Sequence, residues 1–220
     1  MSKKIIKAIL YIIAFIVILN LVGGFVIKYY FCFHGWKFIL PEKIPDRMVI
    51  ISTETIENDS LLLYTYASQL NLLNHYMITK KETFGIFFLL KSMFYVDRSV
   101  QNNLVNSISK FLENKPRFVV GLFPEGKTRN TKNWKSGFYH IAKKSRASIG
   151  IVGIDHDTKT VKIDNTFEPS DNYEKDLKHV QDTLRKYPVA IKEKCNLFDA
   201  EIETNKKQAI SGLTPIHEIL

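Results

Sequence analysis

"RFVVGLFPEGKT", residues 117 to 128, supports two incompatible readings. Its first half is a short, mostly apolar run between Pro116 and Pro124, the pattern of a buried strand. Its second half, "GLFPEGKT", fits G-x-x-x-x-G-K-[ST], with Gly121, Gly126, Lys127 and Thr128 as the fixed letters. As a phosphate-binding loop it would cradle a nucleotide on backbone N–H groups. "SIGIVGID" (148–155) would then end in Asp155 as a magnesium partner. Such a loop needs a helix that starts at Gly-Lys-Thr and aims its positive end at the phosphates. The residues that follow, "RNTKNW", are polar and aperiodic, and the next helical pattern starts near Ser136. Glu125 would place a carboxylate among the phosphates, and Pro124 lacks an N–H to offer them. Nucleotide binding by a P-loop therefore stands only as an alternative.

Outward from this strand, apolar runs and helical patterns alternate. Strands are expected at 47–53, 75–79, 117–123 and 148–155, and at an edge over 159–163. Helices are expected at 60–73, behind the capping residues Asn58, Asp59 and Ser60, and at 100–114, 136–144 and 172–187. This alternation predicts an α/β fold, a single mostly parallel sheet flanked by helices.

Residues 8–27, "AILYIIAFIVILNLVGGFVI", carry no charge and follow Lys3, Lys4 and Lys7. A run of that length matches a hydrocarbon core of ~30 Å, so an N-terminal transmembrane helix is expected to precede the domain. Tyr29, Tyr30, Phe31, Phe33 and Trp36 suit either an interfacial aromatic belt or core packing. The expected organisation is an anchor and aromatic segment over 1–34, an α/β domain over 35–187 and a charged extension of unassigned role over 188–220. The corresponding localisation is the membrane, by a single-pass or monotopic anchor, with the domain facing the cytosol.

Thirty-one Lys and Arg against 22 Asp and Glu give a formal net charge of +9. That excess suits an anionic partner: a lipid headgroup, a phosphorylated small molecule or nucleic acid. Two cysteines, Cys32 and Cys195, exclude a disulfide framework and a zinc-ligand pattern, so no metal is expected. Trp134, Phe138 and Tyr139 lie among lysines between Lys127 and Lys144, a pattern able to stack on bases. No nucleic-acid module accompanies it, and nucleic acid is not expected as a partner.

Several blocks occur in a fixed order: "GWKF" (35–38), "VIISTETIEND" (49–59), "FYVDRS" (94–99), "LFPEG" (122–126), "NWKSGFYHIAKK" (133–144) and "IGIVGID" (149–155). Together they resemble the glycerolipid acyltransferase family, of the bacterial 1-acylglycerol-3-phosphate acyltransferase type. The resemblance implies acyl transfer from acyl-CoA or acyl carrier protein to a lysophospholipid, with membrane lipid as a partner and no cofactor. It implies a base from an H-x-x-x-x-D motif, whose aspartate falls on Asp59. It also implies binding of the acceptor's phosphate and glycerol by Arg98, Glu125 and Gly126. Lys127 intervenes in the family's Glu-Gly-Thr-Arg run, so Lys127, Thr128 and Arg129 join the candidate phosphate ligands.

One departure is central. Glu54 stands where the family histidine is expected, five residues before Asp59. A carboxylate is a far weaker base than imidazole near neutrality, unless repulsion from Asp59 raises its pKa. Either Glu54 and Asp59 share the base position, or the chain is a catalytically silent relative that binds phospholipid or acyl groups. His34, His75, His140, His156, His179 and His217 all lie outside the motif.

Overall fold

A computed structural model describes residues 27–56, 58–79, 93–95, 104–125 and 134–187, together with single positions 5, 7 and 11. The elements after a helical stretch at 27–33 (α1) run in the order β1 (Lys37–Ile39), β2 (Arg47–Ile51), α2 (Asp59–Leu70), β3 (His75–Thr79), β4 (Met93–Tyr95), α3 (Leu104–Glu113), β5 (Phe118–Leu122), α4 (Gly137–Ser145), β6 (Ser148–Asp155), β7 (Thr160–Phe167) and α5 (Tyr173–Leu184).

The strands form one seven-stranded sheet in the order β1-β7-β6-β2-β5-β3-β4. Every described pairing is parallel except β6 with β7, which a short hairpin joins. The central strands β2, β5 and β6 are buried on both faces, and for that reason read as continuous apolar runs rather than alternating ones. Register is shared across the centre: Ile51 pairs with Leu122 on one side and with Ile151 on the other. The expected edge strand is not at the edge. β7 carries β1 outside it, through Phe38 opposite Val161, and three-residue strands β1 and β4 complete a sheet wider than expected.

Two cores line the two faces. Helix α2 packs Leu62, Leu63, Tyr66 and Ala67 with Met48, Ile50, Met77 and Val119. On the opposite face α3, α4 and α5 place Ile108, Leu112, Phe138, Ile141, Val180 and Leu184 with Val49, Ile51, Val120 and Ile149. Helix α2 is buried nearly all round, because α1 and the segment before β1 close over it with Phe31 and Trp36. Its Tyr66 hydroxyl donates to the Ile39 carbonyl at 2.7 Å and accepts the Ile163 N–H at 3.0 Å, tying β1 and β7 to the helix. Helix α5 starts at Asn172, whose side chain accepts the Lys175 N–H at 3.0 Å.

The expectation of a membrane anchor is corrected. Among the described residues no helix is long and apolar enough to cross a membrane, so the transmembrane span, the membrane-anchored enzyme and the membrane localisation are not supported. Residues 8–27 lie outside the described residues apart from Tyr11 and Ile27. The aromatic cluster that suggested an interfacial belt divides instead: Phe31 is buried and packs with Trp36 and Phe38, while Tyr29, Tyr30 and Phe33 are exposed. The length of an apolar run records hydrophobicity but not what covers it. The described end of this one is covered, in part, by the domain itself.

Candidate functional site

The chain leaves β2 through α2 on one face of the sheet, and leaves the neighbouring β5 through α4 on the other. Adjacent strands whose connections depart to opposite faces open a crevice at their carboxyl ends, the usual ligand position in such sheets. The described segments reaching this edge are 52–56 and 58–59 after β2, 123–125 after β5 and the turn from His156 after β6.

Asp59 anchors the site and is wholly buried. It is the first residue of α2, but its carboxylate caps the loop before the helix rather than the helix itself. Its Oδ2 accepts the Thr55 N–H at 2.7 Å, the Thr55 hydroxyl at 2.8 Å and the Ile56 N–H at 3.0 Å. The Asp59 N–H in turn donates to the Ile56 carbonyl at 3.1 Å, which closes the loop as a tight turn.

With Oδ2 occupied by three donors, Oδ1 faces a different partner. His156 Nε2 lies 2.9 Å from it, across 97 residues of sequence. β6 runs parallel beside β2 and continues past the Ile51–Ile151 pair to Asp155, which carries the next residue to the level of Asp59. Asp155 Oδ1 accepts the N–H groups of Asp157 and Thr158, each at 3.0 Å, and so fixes the turn in which His156 sits. Trp36 meets the imidazole edge to face, with centroids 5.3 Å apart and planes at 90°. Trp36 is itself held where Gly35, at a φ of 85°, turns the chain and the Lys37 N–H bonds the Lys159 carbonyl at 2.8 Å. Since Asp59 accepts, Nε2 is the donor; Nδ1 then carries the lone pair, and among the described residues no hydrogen bond reaches it. The side chain of His156 keeps 14% of its surface exposed.

Glu125 approaches from the other side. It is buried, and its Oε2 accepts the Glu54 N–H at 3.2 Å across the β2–β5 boundary. Burial pushes its carboxyl up to about 8; the charges of Glu54 and Asp59 act in the same direction and the Glu54 N–H opposes them. Asp59 pairs with an imidazole, Glu54 is half-buried and donates its backbone N–H to Glu125, and burial raises the Glu125 carboxyl. Arg98, Gly126, Lys127, Thr128 and Arg129 lie outside the described residues.

A family model for acyltransferases matches residues 36–155, more than half of the chain. The chain belongs to the acyltransferase family. The matched region starts at Trp36 and ends at Asp155, so it takes in Glu54, Asp59 and Glu125 and stops one residue before His156. No curated protein matches the chain. Among solved structures this chain is similar to the 1-acyl-sn-glycerophosphate (LPA) acyltransferase PlsC from Thermotoga maritima, at a TM-score of 0.54 and 17% identity, over 84% of this chain and 82% of that one. At that identity the likeness establishes the fold.

Of the four fixed P-loop letters, Gly121 is the one among the described residues. Gly121 lies inside β5, paired with Ile50 and Met77, where a Cβ would run into the Met77 sulfur. A side chain there would have to displace the buried Met77. Glu125, a free letter in the nucleotide pattern, is the buried acid of the site. His156 is the site residue that motif spacing missed.

Proposed function

We propose that this chain transfers an acyl group from a thioester, acyl-CoA or acyl carrier protein, to the hydroxyl of a lysophospholipid. The observation carrying this reading is Asp59: it occupies the aspartate position of the family motif, is held rigidly by three donors on one oxygen, and turns the other to an imidazole at 2.9 Å. A buried carboxylate that fixes the tautomer of an imidazole is the arrangement that prepares a base for taking a hydroxyl proton. The basic excess of the chain suits a phosphorylated acceptor. In this reading Arg98, Glu125, Gly126, Lys127, Thr128 and Arg129 together bind the acceptor's phosphate and glycerol portion. Glu125, carried largely protonated at neutral pH, can donate a hydrogen bond there without repelling an anion.

Glu54 favours a competing reading, a silent relative that binds the same lipids without turnover. Incubation with labelled acyl-CoA or acyl carrier protein and lysophosphatidic acid separates the two. Acyl transfer predicts labelled diacyl product with one free thiol released per ester formed, abolished by Asp59→Ala. Saturable lipid binding with no thiol release from either donor would establish the silent relative.

A further inference from the structure

We propose that His156, delivered from the turn between β6 and β7, is the base of this acyltransferase, supplying from a different strand the imidazole that position 54 of the motif lacks. The inference rests on the acyl-transfer reading above and deepens it.

The other histidines are disposed differently. His34 lies exposed with Nδ1 2.7 Å from the Tyr30 carbonyl. His75 begins β3, at the opposite edge of the sheet, and bonds the carbonyls of Asn71 and Leu72. His140 is exposed on α4, His179 meets Phe167 edge to face from α5, and His217 lies outside the described residues. Among the described residues His156 is the histidine that meets a carboxylate.

Three independent constraints orient it. The Asp155 turn fixes its backbone, Trp36 fixes its ring plane, and Asp59 fixes its tautomer by accepting from Nε2. Thr55, which holds Oδ2 of Asp59, also brings its hydroxyl within 3.5 Å of Nε2. A surface histidine engaged by chance needs none of this.

The chemistry follows from the free nitrogen. Nδ1 of His156 removes the acceptor's hydroxyl proton as that oxygen forms a bond to the thioester carbonyl carbon. The tetrahedral intermediate collapses by breaking the carbon–sulfur bond, and the departing thiolate takes the proton back from Nδ1–H. Ester and free thiol are the products, and the imidazole is restored. While Nδ1 is protonated, the Asp59 carboxylate opposite Nε2 stabilises the imidazolium. Glu54 then need not act as a base at all.

The test compares wild type, His156→Gln, Glu54→His and the double variant in the thiol-release and labelled-ester assay. Thermal unfolding of each variant serves as a folding control. His156→Gln is expected to lower kcat by ~10²–10⁴-fold with little change in donor KM, and Glu54→His in that background to restore part of the loss. A His156→Gln enzyme within about tenfold of wild type would overturn the inference and leave the acyl-transfer reading standing. A silent wild type that gains turnover with Glu54→His alone would show that His156 is not a competent base, and overturns it equally. No turnover by any of the four proteins brings down the acyl-transfer reading itself, and the inference with it. Should His156→Gln fail to fold, nitrogen-resolved NMR of histidine-labelled wild type gives an independent readout. A proton on Nε2 and a bare Nδ1 support the inference, and the reverse tautomer overturns it.

Discussion

The Glu125 carboxylate accepts the backbone N–H of Glu54 at 3.2 Å, joining the loop after β5 to the loop after β2 from a distance of 71 residues in sequence. This contact lies over the crevice between the two strands whose connections part to opposite faces. It holds an acid in a place where its charge is unwelcome.

Glu125 therefore ties stability to pH. Its pKa rises from the ordinary 4.5 to about 8 on folding. Between those values the folded chain holds a proton that the unfolded chain has released. This group's contribution is full below the lower value and is lost as pH rises, by up to ~1.4 kcal/mol per pH unit inside the window. Glu125→Gln keeps an acceptor for the Glu54 N–H and removes the titration. Denaturant unfolding at about pH 5 and about pH 8 should show wild type losing stability relative to Glu125→Gln at the higher pH. Parallel pH profiles for the two proteins would refute this assignment.

Asp59→Asn should cost both stability and activity. An amide offers one acceptor atom to a site that has donors on two sides, Thr55 and Ile56 on one and His156 on the other. One set is left unpaired or faces an amide N–H, at about 1–3 kcal/mol by denaturant unfolding. Acyl transfer should fall by ~10²–10⁴-fold as the imidazole loses its tautomer. A variant as active as wild type would count against Asp59 as the orienting group.

Trp36 is a positioning residue for His156. Trp36→Phe preserves a ring edge against the imidazole, whereas Trp36→Ala lets it rotate. We expect the alanine variant to lose ~10–100-fold in kcat with donor KM nearly unchanged, and the phenylalanine variant to recover most of it. A loss confined to KM would assign Trp36 to binding instead.

Gly153 tests the far side of the sheet. A Cβ at this position would enter the ring of Tyr187, which lies against the β6 backbone with its hydroxyl donating to Asp164 at 2.8 Å. Gly153→Ala should destabilise by ~1–3 kcal/mol as the ring is displaced. Combined with Tyr187→Ala, the effects should fall short of additive, because the second change removes what the first collides with. Additive losses in denaturant unfolding would contradict the contact.

Much of the fold was legible because parallel strands buried on both faces leave an unmistakable local mark. "RMVII", "FVVGL" and "SIGIVGID" read as strands for the same reason that they occupy the centre of the sheet. The short strands β1 and β4 left no such mark, being three residues each and defined by their partners' hydrogen bonds. β7 alternates as an edge strand would, and only the return of the chain segment before β2 covers it.

The same division holds at the site. Asp59 and Glu125 could be found in sequence, since each sits in a short motif whose spacing is set within one loop. The sequence alone determined an α/β domain, its central strands, an acid after β2 and another after β5, and a missing histidine at position 54. Tertiary structure alone decided that His156 replaces nothing in its own neighbourhood and yet faces Asp59. Strand order is a long-range property: β6 pairs with β2 because the connection through α4 carries the chain back across the sheet, and no local pattern records that return.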